Sequence, residues 1–459
     1  MHYLRLAATP FYLLFCLLLG GASAAGIWAN MLLQLIAIPL ILASTLTRPT
    51  TPIPTSGRHL LLLLFLMIAL IAVQLVPLPA SIWSTLPGRS DIARGYQALG
   101  GQLHWLTLSL SPYRSISSAL WLLPPTAILL AMLRLRAFKP EWLAWVLAGV
   151  AVISVALGAL QLAEGQDSGW YFYSVTNVGA SVGFFANANH LATLLLCVFP
   201  FLVSLYLYKR AKSGSSHRIS GLLVLLAGVG GIVIVGLVLN RSLAGLGLAV
   251  PVIAASALMI PWRGRHRLRL SLLALIPLLV LGSVVAALVA PFGNNLVGEA
   301  ARASEESRFT SFSRSLDAAV DHFPVGSGIG TFQQIYRSRE DPETISRFYM
   351  NHVHSDYIEL VLETGAPGMI LLTLFLLWWG VRAIAIWRAK DKDYFAMAGS
   401  ISSAAILAHS AVDYPLRTVA ISAIFALSIA LMAEPRPAGR QRREKRGDGH
   451  HRQARHLGA

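Results

Sequence analysis

Apolar stretches of about 18 residues or more recur along most of this chain, separated by short polar loops. Each can cross the hydrocarbon core of a bilayer. In lipid every backbone polar group must be satisfied within the fold, so such stretches form helices. Composition excludes a soluble globule: charged residues are 13% of the chain and hydrophobic ones 55%, where a soluble domain carries about 25% charged. The mean hydropathy is +0.62. The expected fold is an all-α polytopic membrane protein with about twelve transmembrane helices. They fall near 9–26, 28–46, 60–78, 117–134, 141–162, 188–208, 219–239, 243–261, 270–290, 367–387, 395–412 and 417–433.

The basic residues fix the expected orientation. With the N-terminus in the cytoplasm, Arg48/Arg58, Arg134/Arg136/Lys139, Lys209/Arg210/Lys212/Arg218, Arg263/Arg265/Arg267/Arg269 and Arg388/Lys390/Lys392 all lie inside, as does the C-terminal tail. That alternation follows the positive-inside rule. It also accounts for the net charge of +16 without nucleic acid, for which no motif is present. Residues 434–459 read as a disordered basic cytoplasmic tail facing anionic lipid. Ala22-Ser23-Ala24 resembles a signal-peptide cleavage site. Apolar sequence resumes at Ile27, however, and removal would break the loop alternation, so an uncleaved first helix is expected. Cys16 and Cys197 lie inside apolar runs and read as small buried hydrophobes. No internal repeat supports an inverted-repeat transporter.

Candidate chemistry gathers on the non-cytoplasmic side. Arg241 sits in Leu239-Asn240-Arg241-Ser242 between two long apolar segments. A charge there is costly unless it faces water or a partner, which makes it a functional candidate. The one long polar loop, 291–366, lies on the same side and carries Arg308 and Arg314. Guanidinium groups match phosphate with two parallel hydrogen bonds. In this loop Gly326, Gly328 and Gly330 lack the strand–helix context of a dinucleotide site and read as a close turn.

From Asp356, acids at 359 and 363 and apolar residues at 358, 361 and 362 follow helical spacing, with Gly365 as the expected C-cap. His354 then lies at the helix N-terminus, where unpaired backbone N–H groups favour an anion. Three readings remain open: a structural cap, a metal site from His352, His354 and Asp356, or a proton-transfer or phosphate-contacting imidazole. Asn187 and Asn189 open the helix near 188, either as caps or in the site. Asp413 and Arg417 flank the tight turn near 413–416, either paired to fix the hairpin or lining the site.

Four stretches, in order, resemble the O-antigen ligase and O-antigen polymerase superfamily of bacterial membrane glycosyltransferases. These are Phe185-Ala186-Asn187-Ala188-Asn189, the Asn240-Arg241-Ser242 turn, Ser307-Arg308 through Pro324-x-Gly326-x-Gly328-x-Gly330, and His354-Ser355-Asp356-Tyr357 through Glu363-x-Gly365. Asp413-Tyr414-Pro415-Leu416 also resembles members tied to exopolysaccharide. The resemblance covers about 183–417. It places a ligase-like core at 181–433, including the periplasmic loop, while 1–180 match only in hydropathy. Asn240 replaces a usual Ser or Thr, Ser355 a usual Asn, and Phe312 a common Trp.

The resemblance implies a GT-C-like, inverting glycosyltransferase in the bacterial inner membrane, with an active periplasmic face and no metal or other cofactor. Its donor would be a glycan on undecaprenyl diphosphate. The acceptor hydroxyl would belong to lipid A-core, to another lipid-linked repeat or to a protein. Those alternatives correspond to ligase, polymerase and protein O-oligosaccharyltransferase. The resemblance assigns Arg241 and Arg308 to the diphosphate and His354 to the acceptor hydroxyl or the leaving group. Arg314, Asn187, Asn189, Tyr357, Asp413 and Arg417 are expected to bind substrate. A transporter or flippase would need ionisable residues or broken helices near mid-membrane, and a metallohydrolase would need the His352/His354/Asp356 set.

Overall fold

The computed structural model describes residues 2–24, 26–49, 52–212, 216–261, 266–289, 311–340 and 350–434. The chain opens with three apolar helices: α1 (His2–Leu19), α2 (Trp28–Leu46) and α3 (Thr55–Gln74). A small cap follows, in which β1 (Pro77–Leu78) pairs antiparallel with β2 (Leu106–Thr107) around α4 (Ala80–Trp83) and α5 (Ser90–Ala98). Next come α6 (Pro112–Leu120), α7 (Leu123–Leu130), α8 (Pro140–Glu164), α9 (Ala188–Lys212), α10 (Ser216–Asn240), α11 (Leu243–Leu258) and α12 (His266–Val289). Beyond these lie α13 (311–322), α14 (Phe332–Arg337), α15 (Asp356–Arg388), α16 (Tyr394–His409) and α17 (Val419–Ala433).

All the expected spans are helical, with shifted bounds. Among the described residues seven helices are long and apolar enough to cross a membrane: α2, α3, Pro112–Leu135, Pro140–Asp167, α9, His217–Asn240 and α15. Arg5–Leu19, Leu243–Leu258, Ala274–Ala286, Tyr394–His409 and Val419–Ala433 are shorter apolar helices. The third span stops at Gln74, short of the expected 78, because Pro77 and Pro79 cannot continue it. The fourth is two helices, since Leu123-Pro124-Pro125 opens a new first turn.

One hydrophobic core runs from Tyr12, Leu13 and Leu17 through Leu194 to Leu196 and on to Ile421 and Leu427. At its centre α9 is almost wholly buried, packed by α8, α10, α11 and α16. Three indole N–H groups of α15 within the apolar zone are paired, as a medium without water favours. Trp378 donates to Ser56 O at 3.0 Å, Trp379 to Ser403 Oγ at 2.8 Å and Trp387 to Ser400 Oγ at 3.0 Å, tying α15 to α3 and α16.

The expected C-cap at Gly365 is instead a break. Its backbone is non-helical (φ 57, ψ −146), and the helix resumes at once toward Arg388. The break leaves backbone carbonyls and an N–H without helical partners, and the glycine loop supplies them. Ser327 N donates to Leu362 O at 2.9 Å, Gly328 N to Glu363 O at 2.9 Å, and Ala366 N to Pro324 O at 2.9 Å. A Cβ on Gly365 would lie 2.8 Å from Gly326 N, so the two backbones approach closely only without side chains. Gly365→Ala is expected to destabilise the fold by about 2 kcal/mol or more. Thermal unfolding in detergent would measure it, and an unchanged midpoint would contradict this account.

Candidate functional site

The acids of the first part of α15, Asp356, Glu359 and Glu363, share one helix face because they lie three, four and seven residues apart. All are buried, and all turn toward one guanidinium. Arg417 Nη2 lies 3.2 Å from Glu363 Oε2 and 3.4 Å from Glu359 Oε1, and its Nε lies 3.6 Å from Asp356 Oδ1. Burial would lower the Arg417 pKa, but the three carboxylates outweigh it and hold it above the ordinary value. Further donors complete the acids. Asp356 Oδ2 accepts from Ser410 Oγ at 2.8 Å, Glu359 Oε2 from Val353 N at 3.1 Å, and Glu363 Oε1 from Gly330 N at 2.7 Å. His352 Nδ1 lies 2.9 Å from Glu359 Oε1.

Asp413 and Arg417 therefore do not pair with each other to fix the hairpin. Arg417 binds the acids of α15, and Asp413 binds His354. His354 Nδ1 lies 3.1 Å from Asp413 Oδ1, which also accepts from Tyr414 N at 2.9 Å. Burial alone would push the Asp413 carboxyl up. The hydrogen bond from His354 and the fields of His354, His190 and His409 outweigh burial and hold it well below the usual carboxylate range. An ionised carboxylate only accepts, so Nδ1 of His354 carries a proton, and in the neutral ring Nε2 is then the basic nitrogen. His354 is partly open, at 17% side-chain exposure, whereas Asp413 is buried. His190, His352 and His354 all pack against the Tyr414 ring, with centroids 5.1, 4.9 and 5.1 Å away.

The metal-site reading of His352, His354 and Asp356 is corrected by this geometry, since each has a different partner: Glu359, Asp413 and Arg417 with Ser410. Among the described residues no group of three His, Cys, Asp or Glu side chains is placed to hold a metal ion. Tyr357 donates to Leu407 O at 2.7 Å and ties α15 to α16.

The arginine turn abuts the same end of the bundle. Ala244 packs with Val412, and Ser242 Oγ donates to Asn189 Oδ1 at 2.7 Å. Arg241 adopts a left-handed backbone (φ 57), unfavourable for a residue with a Cβ. Its neighbours impose it. Asn240 Nδ2 donates to Ser181 O at 2.7 Å and Ala188 O at 2.8 Å, while Ser242 caps α11 by accepting from Gly245 N. The amide of Asn240 thus spans two carbonyls, which a Ser or Thr hydroxyl with one proton does not do. Arg241 is exposed and forms no ion pair among the described residues. Asn187 Oδ1 accepts from Asn189 N at 2.8 Å, a local cap at the start of α9. Arg314 is half-buried on α13 and pairs with no acid among the described residues. Arg308 lies outside the described residues.

Two supporting residues were not singled out from sequence. Gln74, buried at the end of α3, donates from Nε2 to Glu363 O at 2.9 Å and accepts at Oε1 from Ile329 N at 3.0 Å. Arg89, 1% exposed, donates to Pro87 O, Leu108 O and Gly326 O at 2.6, 2.6 and 2.9 Å. Burial pulls its pKa down to about 10, so it stays charged at neutral pH. Together they clamp the glycine loop that feeds Glu363. For Gln74 the sequence signal was a polar residue ending an apolar run, and for Arg89 a loop charge. Arg417→Leu would leave three buried carboxylates without their cation and is expected to cost about 3–5 kcal/mol. Gln74→Leu is expected to cost about 1–3 kcal/mol. Unfolding midpoints of the detergent-purified variants decide both, and loss from Gln74→Leu exceeding that from Arg417→Leu would reverse the hierarchy.

Residues 229–373 match the family model described as O-antigen ligase. No curated protein matches the chain. The matched stretch includes Arg241, Arg308, Arg314, His354 and the α15 acids, and stops before Asp413 and Arg417.

Proposed function

From the premise that this polytopic membrane protein carries an O-antigen ligase family domain at residues 229–373, we propose that it transfers a glycan from undecaprenyl diphosphate to an acceptor hydroxyl at the periplasmic face of the bacterial inner membrane. The observation that carries this reading is the His354–Asp413 pair, poised at the bundle end where the arginine turn packs. His354 Nε2 takes the proton of the acceptor hydroxyl. The hydroxyl oxygen attacks the anomeric carbon, and the bond from that carbon to the phosphate oxygen breaks. The diphosphate leaves with the bonding pair, and the proton rests on His354. A single displacement inverts the anomeric centre. Asp413 orients the imidazole and stabilises its charged form, as in other histidine–carboxylate pairs.

Arg241 and Arg308 neutralise the leaving diphosphate, a task that preorganised cations perform without a metal. Arg241 suits it because its neighbours fix the backbone and leave the side chain exposed. Arg314, Asn187, Asn189 and Tyr357 frame the substrate space, and Arg417 holds the α15 acids. An apolar cavity of about 340 Å³ between α11, α12, α15 and α16, lined by Leu248, Val252, Trp379, Trp387 and Ile401, suits a polyprenyl chain. Its lining includes Ala408, the neighbour of His409. In this reading all twelve apolar helices cross the membrane, the five shorter ones lengthened by their polar flanks, and 181–433 form the catalytic core.

A strain deleted for the gene and complemented with variants tests the proposal. His354→Ala is expected to abolish transfer while accumulating normally in the membrane, and Asp413→Asn to reduce it roughly 10²- to 10⁴-fold. Size-resolved polymer left on the carrier with bare lipid A-core marks a ligase, and single repeats on the carrier mark a polymerase. Full activity of His354→Ala overturns the mechanism.

A further inference from the structure

Behind the His354–Asp413 pair lies a set of buried polar atoms that the transfer step does not use. His190 is 1% exposed at the start of α9, and His409 and Asp413 are fully buried at the end of α16 and in the following turn. Both ring nitrogens of His190, Nε2 of His409 and Oδ2 of Asp413 have no hydrogen-bond partner among the described residues. These groups are neighbours. Asp413 N donates to His409 O at 3.0 Å, and the His190 ring stands edge-on to Tyr414, the next residue. Both histidines act electrostatically on the Asp413 carboxylate.

The chemistry of each atom is fixed by its neighbours. Thr193 Oγ1 gives its one proton to Asn189 O at 2.9 Å, so at 2.8 Å from His409 Nδ1 it accepts. His409 therefore carries its proton on Nδ1, and its Nε2 is a lone pair. Asp413 Oδ2 is a second acceptor. A neutral His190 offers one N–H and one lone pair. Two acceptors and one donor on neighbouring residues match the needs of one water molecule, which donates twice and accepts once, and buried waters typically make about three hydrogen bonds.

Resting on the reading of His354 as proton acceptor, we propose that His190, His409 and Asp413 Oδ2 hold one buried water. This water forms a relay that stabilises the Asp413 carboxylate behind His354, with His190 and His409 as positioning residues. The groups facing Asp413 are His354 from the start of α15, His190 from α9 and His409 from α16. His352, on the same Tyr414 ring, is engaged by Glu359, and Arg417 by the three α15 acids.

The sign of the effect follows. A donor on Oδ2 stabilises the carboxylate charge and lessens its pull on a proton at His354. Removing that donor makes the pair more basic, so His354 becomes protonated, and inactive as a base, at a higher pH. His190→Phe removes the N–H that fixes the water and fills its space, so Oδ2 loses the water as donor, whereas His190→Gln keeps an amide N–H to hold it.

The test uses the full-length, detergent-purified protein. The probe is undecaprenyl-diphosphate-linked glycan extracted from the source bacterium's own membranes, incubated with those membranes as acceptor. The release of undecaprenyl diphosphate is followed across the neutral pH range. His190→Phe is expected to move the acid limb of kcat up by about one pH unit, with KM unchanged, and His190→Gln to restore it. Should His190→Phe fail to accumulate in the membrane, His190→Leu against His190→Gln makes the same comparison. An unmoved limb in the folded apolar variant, or a limb that folded His190→Gln leaves shifted, overturns the relay. His354→Ala run alongside separates the two claims. If it is inactive, the outcome at His190 judges the relay alone, and if it is active, the underlying reading fails and the relay with it.

Discussion

Arg417 is one cation, itself partly open, held among the buried acids Asp356, Glu359 and Glu363. A buried ion group of this kind is strongly destabilising when broken, because the charge left behind has nowhere to go. Each carboxylate also holds a different part of the molecule. Asp356 takes the Ser410 hydroxyl at the end of α16, Glu359 takes the backbone beside His352, and Glu363 takes the glycine loop at Gly330. One guanidinium thus sets the register between the α16–α17 turn, the start of α15 and the loop beneath the cap.

That register is what presents His354 to Asp413. The two are 59 residues apart and belong to separate segments, and the backbone bonds from Asp356 N to Ser410 O and Asp413 O hold those segments together. The site is divided by accessibility. The carboxylates are sealed from solvent, whereas His354 is partly open and Arg241 exposed. Such a division suits a membrane-surface reaction, since buried acids fix geometry at low dielectric while exposed cations meet a charged headgroup.

The glycine break at Gly365 links this charged end to the apolar body. Below it the second part of α15 is a lipid-zone helix, bound to its neighbours through indole N–H groups. Above it the backbone opens to the 324–328 loop. The loop is braced from the other side by Gln74 and Arg89, so the first hundred residues support a site whose family match lies wholly beyond them.

The apolar spans, the loop charge alternation, the placement of His354 ahead of a helix and the glycine turn were all legible in the sequence, because each follows from local spacing and solvation. Asn187, expected either to cap or to bind substrate, caps the start of α9. The partners were not legible. Asp413 and Arg417 stand close together and of opposite sign, which suggests a mutual pair, yet each is taken by a group more than fifty residues away. Gln74 looks like the end of a span, and Arg89 like a loop charge. The left-handed backbone of Arg241 depends on Ser181, Ala188 and Asn189 arriving from elsewhere. Sequence alone determined which segments form long apolar helices and which residue types wait at their ends, since hydropathy and charge act residue by residue. Which histidine meets which carboxylate was decided only by helix packing, because a buried charge takes its partner from whatever the tertiary structure brings within hydrogen-bond reach.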